Sequence, residues 1–248
     1  MSAASSSSRV IIAPNENELA ETAARLLLAR LKAATARAAV CLTGGSTPQV
    51  LYRLLASRPY RDEIPWARVH WFMGDDRFVP QADPLSNMGA ARNLLLDRFA
   101  QAGTVHAIPT DLDSPQTAAL AYQRTLQDFY GATRLHPLRP LFDVVLMGVG
   151  GDGHTASLFP GAPALDETDA WVVGVDVAGM EPYVPRVTLT YPTLESCRDM
   201  LMLASGLSKR PILTRIADGE DVPAARLRPT GELTWIIDHL AAPEGLDD

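Results

Sequence analysis

The stretch Phe142–Gly161, FDVVLMGVGGDGHTASLFPG, constrains the fold more than any other part of the chain. Val144 to Val149 form an apolar run with no polar residue to face water. Bounded by turn residues, such a run suits a strand buried on both faces of a parallel sheet. Gly148, Gly150, Gly151 and Gly153 follow within six positions, enclosing Asp152 and leading straight into His154. Glycine lets the backbone approach a ligand closely and adopt positive φ. An acid and an imidazole are thereby delivered to the carboxyl end of a central strand, where open α/β sheets bind ligands.

The same arrangement recurs along the chain. Ala38–Thr43 is an apolar strand followed by Gly44-Gly45-Ser46-Thr47-Pro48. Thr47 can cap the helix that begins there, and Pro48 suits its first turn. Free N–H groups and the positive end of that helix would face an anion, with two hydroxyls beside them. No Gly-Lys-Ser/Thr follows, so this is not a Walker A loop. Val69–Met73 runs into Gly74-Asp75-Asp76-Arg77. Two adjacent carboxylates and an arginine at a strand's end are costly unless they face a cleft or each other. Arg77 could bind a phosphate bidentately. Met200–Ala204 leads into Gly206–Lys209, where Lys209 adds a cation at a helix start. Taken singly, each of these is equally a capped turn, a solvated ion pair or a snorkelling lysine. Their repetition is the stronger signal. Four units of strand, loop and helix predict an α/β fold with an open, mostly parallel, Rossmann-like sheet and helices on both faces. The loops then emerge at one edge and converge.

The remaining elements complete one domain over residues 9–243. Asn15 or Asn17 caps a helix through Leu19–Leu31, and Ser86 caps one through Leu94–Phe99. Val105–Ile108 is a short strand, and Ser114-Pro115 opens a helix that ends at Gly131. Trp171–Val175 is a strand. Arg186–Tyr191 alternates, with Val187, Leu189 and Tyr191 on one face and Arg186, Thr188 and Thr190 on the other, as in a half-exposed strand. Pro192–Cys197 reads as a short helix, and Leu233–Leu240 returns to the core. Met1–Ser8 is expected to be a disordered leader and Glu244–Asp248 a frayed acidic tail.

Several function classes are excluded. With net charge −7 and no basic run, the chain is a poor partner for nucleic acid or an anionic membrane. No apolar run approaches the ~18–20 residues of a membrane span, and the leader has no apolar core of a signal peptide. A soluble, cytoplasmic protein is expected. Cys41 and Cys197 lie in no CxxC or Cys/His spacing, which favours two reduced core thiols over a disulfide or metal site. Gly148, Gly150 and Gly153, with Asp176 further on, imitate a dinucleotide fingerprint. A pyrophosphate-binding helix should follow the last glycine, but Pro160-Gly161 and Pro163 interrupt it. No Gly-x-Ser-x-Gly elbow marks a serine hydrolase.

Taken in order, LTGGSTP (Leu42–Pro48), GDDRFVP (Gly74–Pro80) with Leu85-Ser86-Asn87, the string FDVVLMGVGGDGHTASLFPG, RVTLTYPTL (Arg186–Leu194) and Gly206-Leu207-Ser208-Lys209 resemble the 6-phosphogluconolactonase family. The Gly-Asp-Gly-His-Thr-Ala-Ser-Leu-Phe-Pro string is specific; the Gly-Gly-Ser-Thr-Pro loop also fits related aminosugar-phosphate deaminases. The chain departs from the family in carrying Asp76 where Glu is usual, and Arg210-Pro211 after Lys209 where an alanine is commoner. The resemblance implies hydrolysis of 6-phospho-D-glucono-1,5-lactone, a small phosphorylated sugar lactone, with no metal or organic cofactor, by a monomer or weak homodimer. It implies catalytic roles for His154, with Asp152 beside it, and Asp75 near the sugar. An imidazole, with a reference pKa of about 6.5, is suited to taking a proton from water at neutral pH. Gly44, Gly45, Ser46, Thr47, Arg77 and Lys209 are the implied phosphate holders, Arg186 a weaker one, and Gly151 belongs to a loop whose N–H groups could face an oxyanion. The deaminases carry Asp-Glu-Tyr in place of Asp75-Asp76-Arg77, and Arg77 favours the lactonase. A sugar-phosphate sensor with a helix-turn-helix has no room for one before Val10.

Overall fold

The structure is a computed structural model and describes residues 8–246. Ten strands form in chain order: β1 (Arg9–Ala13), β2 (Ala38–Leu42), β3 (Val69–Met73), β4 (Asp75–Arg77), β5 (Val105–His106), β6 (Phe142–Met147), β7 (Val172–Val175), β8 (Arg186–Leu189), β9 (Cys197–Ala204) and β10 (Glu232–Asp238). Seven of them make one sheet in the order β1-β10-β9-β6-β2-β3-β5, every pair parallel. The open α/β sheet expected from the apolar runs is present. Val144, Val145, Leu146 and Met147 are all buried on β6, as a strand covered on both faces requires.

Local chemistry sets the helices that flank the sheet. The Asn15 side chain accepts from the Asn17 and Glu18 N–H groups and starts the helix Glu16–Ala33. Leu19, Leu27 and Leu31 of that helix are buried. Ser114 caps Pro115–Tyr130 through the Thr117 N–H, with proline in the first turn, and Gly131 at φ 76° ends it in the left-handed region. Ser86 caps Asn87–Ala91, which continues through a π-helical turn, Arg92–Leu96, to Asp97–Phe99.

Four expectations are corrected. Asp75–Arg77 is a strand, β4, of a second antiparallel sheet in the order β4-β8-β7. Arg186–Leu189 is buried on both faces: Arg186 and Thr188 are 4% and 0% exposed, because the segment after β6 lies on the polar side, with the Ser157 N–H on Thr188 and the Phe159 ring against Arg186. The short helix spans Tyr191–Glu195, and Cys197 opens β9. Thr47 does not cap; Gly45, at φ 113°, takes the cap position and Thr47 lies inside the helix Ser46–Leu55. Cys41 and Cys197 are buried free thiols. Met1–Ser7 and Asp247–Asp248, most of the expected leader and the end of the tail, lie outside the described residues. Among the described residues no helix is long and apolar enough to cross a membrane.

Candidate active site

The strands that carry the chemistry are consecutive neighbours, β9-β6-β2-β3. Because they are parallel, the segments leaving their carboxyl ends meet over one edge of the sheet. They enclose a cleft of about 220 Å³ lined by all four, with Ser46, Arg77, His154 and Lys209 among its walls. Residues as far apart in the chain as Thr43 and Lys209 therefore share one site. Of the predicted site residues, Asp152 alone is not part of the cleft wall, and it touches the wall through His154.

After β6 the backbone folds back tightly. The Gly150 N–H donates to the His154 carbonyl at 2.8 Å and the Gly153 N–H to the Gly150 carbonyl at 3.0 Å. Asp152 Oδ1 then receives the His154 N–H at 3.0 Å and lies 2.6 Å from its Nδ1. Burial works to raise the Asp152 carboxyl, but the His154 backbone and imidazole together hold it below the usual carboxylate range. The imidazole is fixed on two further sides. A Cβ on Gly150 would sit 2.0 Å from Nδ1, so only a glycine leaves the ring its place. Phe159 covers it at 4.7 Å between ring centroids. With Nδ1 occupied by the carboxylate, Nε2 makes no hydrogen bond to the described residues. The Gly151 N–H is likewise unspent among the described residues. No helix follows His154 until the short turn Pro163–Asp166, so the glycines do not open a pyrophosphate-binding helix. Asp176 instead accepts from Gln116 Nε2.

Three cations line the cleft. Lys209 Nζ donates to the Val149 carbonyl at 2.7 Å. Burial pushes its ammonium below the ordinary lysine value, while Asp152 pulls the other way. Arg77 and Arg186 are paired across β4 and β8. Arg77 Nη1 donates to the Leu85 carbonyl at 2.7 Å, and its buried Nε has no partner among the described residues. Arg186 Nη2 donates to the Pro182 carbonyl at 2.8 Å; burial lowers its pKa from the ordinary arginine value, Asp75 opposes that and Arg77 adds to it. The Gly44–Thr47 loop faces them and opens the helix Ser46–Leu55 with no side-chain cap on its first N–H groups. That leaves donors for an anion.

Asp75 and Asp76 point to opposite sides of β4. Asp75 lines the cleft and accepts from the Ser157 hydroxyl at 2.7 Å. Asp76 is fully buried away from it, where burial pushes its carboxyl up to about 6 against the N–H bonds from Met88 and Asn87. The partners of Asp76, which stands where the family usually has Glu, lie at Ser86–Met88.

Sequence reasoning passed over Asn87, Ser157, Phe159 and Met180. Asn87 and Met180 line the cleft. Ser157 and Phe159 lie inside the glycine-loop signature and were available there. Asn87 was visible only as the end of the Leu85-Ser86-Asn87 string, with no role attached, and nothing local distinguishes Met180. Among the described residues no group of three His, Cys, Asp or Glu side chains is placed to hold a metal ion.

Comparison with known proteins places the fold and the family. Residues 14–235 match the family model described as glucosamine-6-phosphate isomerases/6-phosphogluconolactonase. A 6-phosphogluconolactonase from Nostoc sp. is 35% identical over 243 residues, covering 95% of this chain and 97% of its own. The solved 6-phosphogluconolactonase from Trypanosoma cruzi superposes with a TM-score of 0.85 at 30% identity, covering 98% of both chains. A monomeric glucosamine-6-phosphate deaminase has a TM-score of 0.80 at 20% identity, covering 94% of this chain and 98% of its own, a likeness of fold alone.

Proposed function

The chain belongs to the glucosamine-6-phosphate isomerase/6-phosphogluconolactonase family, and from that membership and the cleft we infer how it works. It is a lactone hydrolase, converting 6-phospho-D-glucono-1,5-lactone to 6-phospho-D-gluconate in the pentose phosphate pathway. The observation that carries the mechanism is the 2.6 Å contact between His154 Nδ1 and Asp152, inside a cleft walled by three cations.

His154 Nε2 takes a proton from water as the water oxygen attacks the lactone carbonyl carbon, C1. Asp152 holds the proton on Nδ1, which leaves Nε2 as the basic nitrogen and stabilises the imidazolium that forms. Negative charge grows on the carbonyl oxygen, and the unspent Gly151 N–H, in the same loop as the base, is a donor for it. When the tetrahedral intermediate collapses, the C1–ring oxygen bond breaks and His154 returns its proton to the departing oxygen. The product is an open-chain carboxylic acid, which gives up its proton to solvent to become the carboxylate.

Arg77, Lys209 and the Gly44–Thr47 loop hold the 6-phosphate, with Arg186 beside them. Anchoring that remote group fixes C1 against His154, so binding energy is used to orient the reacting centre. Asp75, kept in place by Ser157, faces the sugar hydroxyls. The cleft is complete within one chain, which supports a monomer or weak homodimer. The acidic net charge speaks against a nucleic-acid partner, and kinship with metabolic enzymes supports a cytoplasmic location.

The phosphate assignment has its own test. Lys209→Met should raise KM for the phosphorylated lactone by roughly 10–100-fold, the size expected for a charge-assisted bond of about 1.5–3 kcal/mol. The KM for unphosphorylated glucono-1,5-lactone should stay unchanged. Equal losses on both lactones would contradict the role given to Lys209.

A further inference from the structure

Asp76 is 0% exposed and lies outside the cleft, although its neighbours Asp75 and Arg77 both line it. Its carboxylate is satisfied by four donors. Oδ1 receives the Arg77 N–H at 2.8 Å and the Asn87 N–H at 2.6 Å. Oδ2 receives the Met88 N–H at 3.0 Å and the Ser86 hydroxyl at 3.2 Å. Three of these donors belong to a turn that is ten to twelve residues downstream of Asp76. Two contacts lead from that turn into the cleft. Asn87 Nδ2 donates to the Asp75 carbonyl at 2.9 Å, and its Oδ1 lies only 2.0 Å from where a Cβ on Gly44 would stand. The Leu85 carbonyl holds Arg77 Nη1 at 2.7 Å.

We propose that Asp76 is a positioning residue for substrate, fixing the phosphate-binding loop through Asn87 and the Arg77 guanidinium through the Leu85 turn. It touches no substrate itself. A carboxylate suits the task because it only accepts, and all four groups around it donate. An asparagine would turn an amide N–H towards one of those donors and leave it buried and unpaired. A glycine at position 44 lets the Asn87 side chain wedge between β4 and the loop, so the turn is in direct contact with the backbone that faces the anion. The inference rests on the lactonase reading for what the anion belongs to, but not for the anion site itself.

Affinity for inorganic phosphate, measured by calorimetry on the purified full chain, reads the site without turnover. Asp76→Asn should weaken phosphate binding and raise KM for the phosphorylated lactone together, by about 10-fold or more, with kcat per folded molecule moving far less. Asp76→Glu, which keeps the acceptor-only group, should recover most of the affinity. Asn87→Ala should reproduce the loss, and the double variant with Asp76→Asn should be little worse than either single one, as for groups on one path. If Asp76→Asn does not fold, Asn87→Ala and Asp76→Glu carry the test between them. Wild-type phosphate affinity in Asn87→Ala, or in folded Asp76→Asn, would overturn the proposal. So would additive losses in the double variant. A wild-type protein that binds phosphate but leaves the lactone untouched would overturn the lactonase reading and leave the positioning result standing.

Discussion

Replacing His154 by alanine is expected to lower kcat for the phosphorylated lactone by about 10²–10⁴-fold, the usual contribution of a positioned general base. KM should move by much less, because Arg77, Lys209 and the Gly44–Thr47 loop are untouched. The ring is one wall of the cleft and packs on Phe159, but no strand or helix depends on its hydrogen bonds. Far-ultraviolet circular dichroism and the melting transition should therefore stay close to wild type. Steady-state kinetics corrected for spontaneous lactone opening would give both constants. An unchanged kcat would remove the water-activating role assigned to His154.

Changing Gly150 to alanine should cost nearly as much, although the residue carries no chemistry of its own. The added Cβ would stand 2.0 Å from His154 Nδ1, 2.1 Å from its Cε1 and 2.8 Å from Asp152 Oδ1. Something has to move, and the groups in the way are the His154 ring and the Asp152 carboxylate, the proposed base and its partner. A displacement of about 1 Å in a catalytic group is enough to cost roughly 100-fold. The expected outcome is a kcat loss of that order or more with KM for the phosphorylated lactone largely kept. In a ¹H–¹⁵N spectrum the His154 ring signals should shift, while signals from β1, the edge strand three places from β6, stay put. Wild-type turnover in this variant would mean that the Asp152–His154 geometry is not what sets the rate.

The parts of the fold that were legible in the sequence are those where one local force dominates. The strand β6, Phe142–Met147, declared itself through the apolar run Val144–Val149, which has no other comfortable place. Ser114-Pro115 and Gly131 marked both ends of a helix because capping and left-handed backbone are local matters. What was not legible depended on partners far along the chain. Asp75-Asp76-Arg77 carries three charges and reads as a solvated turn or a cleft edge, yet it is a buried strand. It is tolerated there because the Ser86–Met88 turn supplies three donors to Asp76. Arg186–Leu189 alternates as though half exposed, but Thr188 on its polar face is hydrogen-bonded to the Ser157 N–H and buried. Polar spacing reported a hydrogen-bonded interior rather than water.

The candidate site followed the same division. Ser46, Arg77, His154 and Lys209 were legible because each follows an apolar strand, and parallel strands bring such residues to one edge. The order β9-β6-β2-β3, which makes these strands immediate neighbours, could not be read from chain order. Asn87 was hidden for a related reason: its importance lies in two contacts, to Asp75 and Gly44, that local sequence does not announce.

Lactone hydrolysis and aminosugar-phosphate deamination share this fold, and they demand different chemistry from the same cleft. The first needs a base for water, the role proposed for His154. The second needs a carboxylate to move a proton between C1 and C2, and Asp75 is engaged with Ser157 in this chain. The most direct measurement supplies the purified protein, without added metal, with 6-phosphogluconolactone and separately with glucosamine 6-phosphate. Loss of the lactone far above its spontaneous rate, with no ammonia released from the amino sugar, is the predicted result. Ammonia release without acceleration of lactone loss would contradict it.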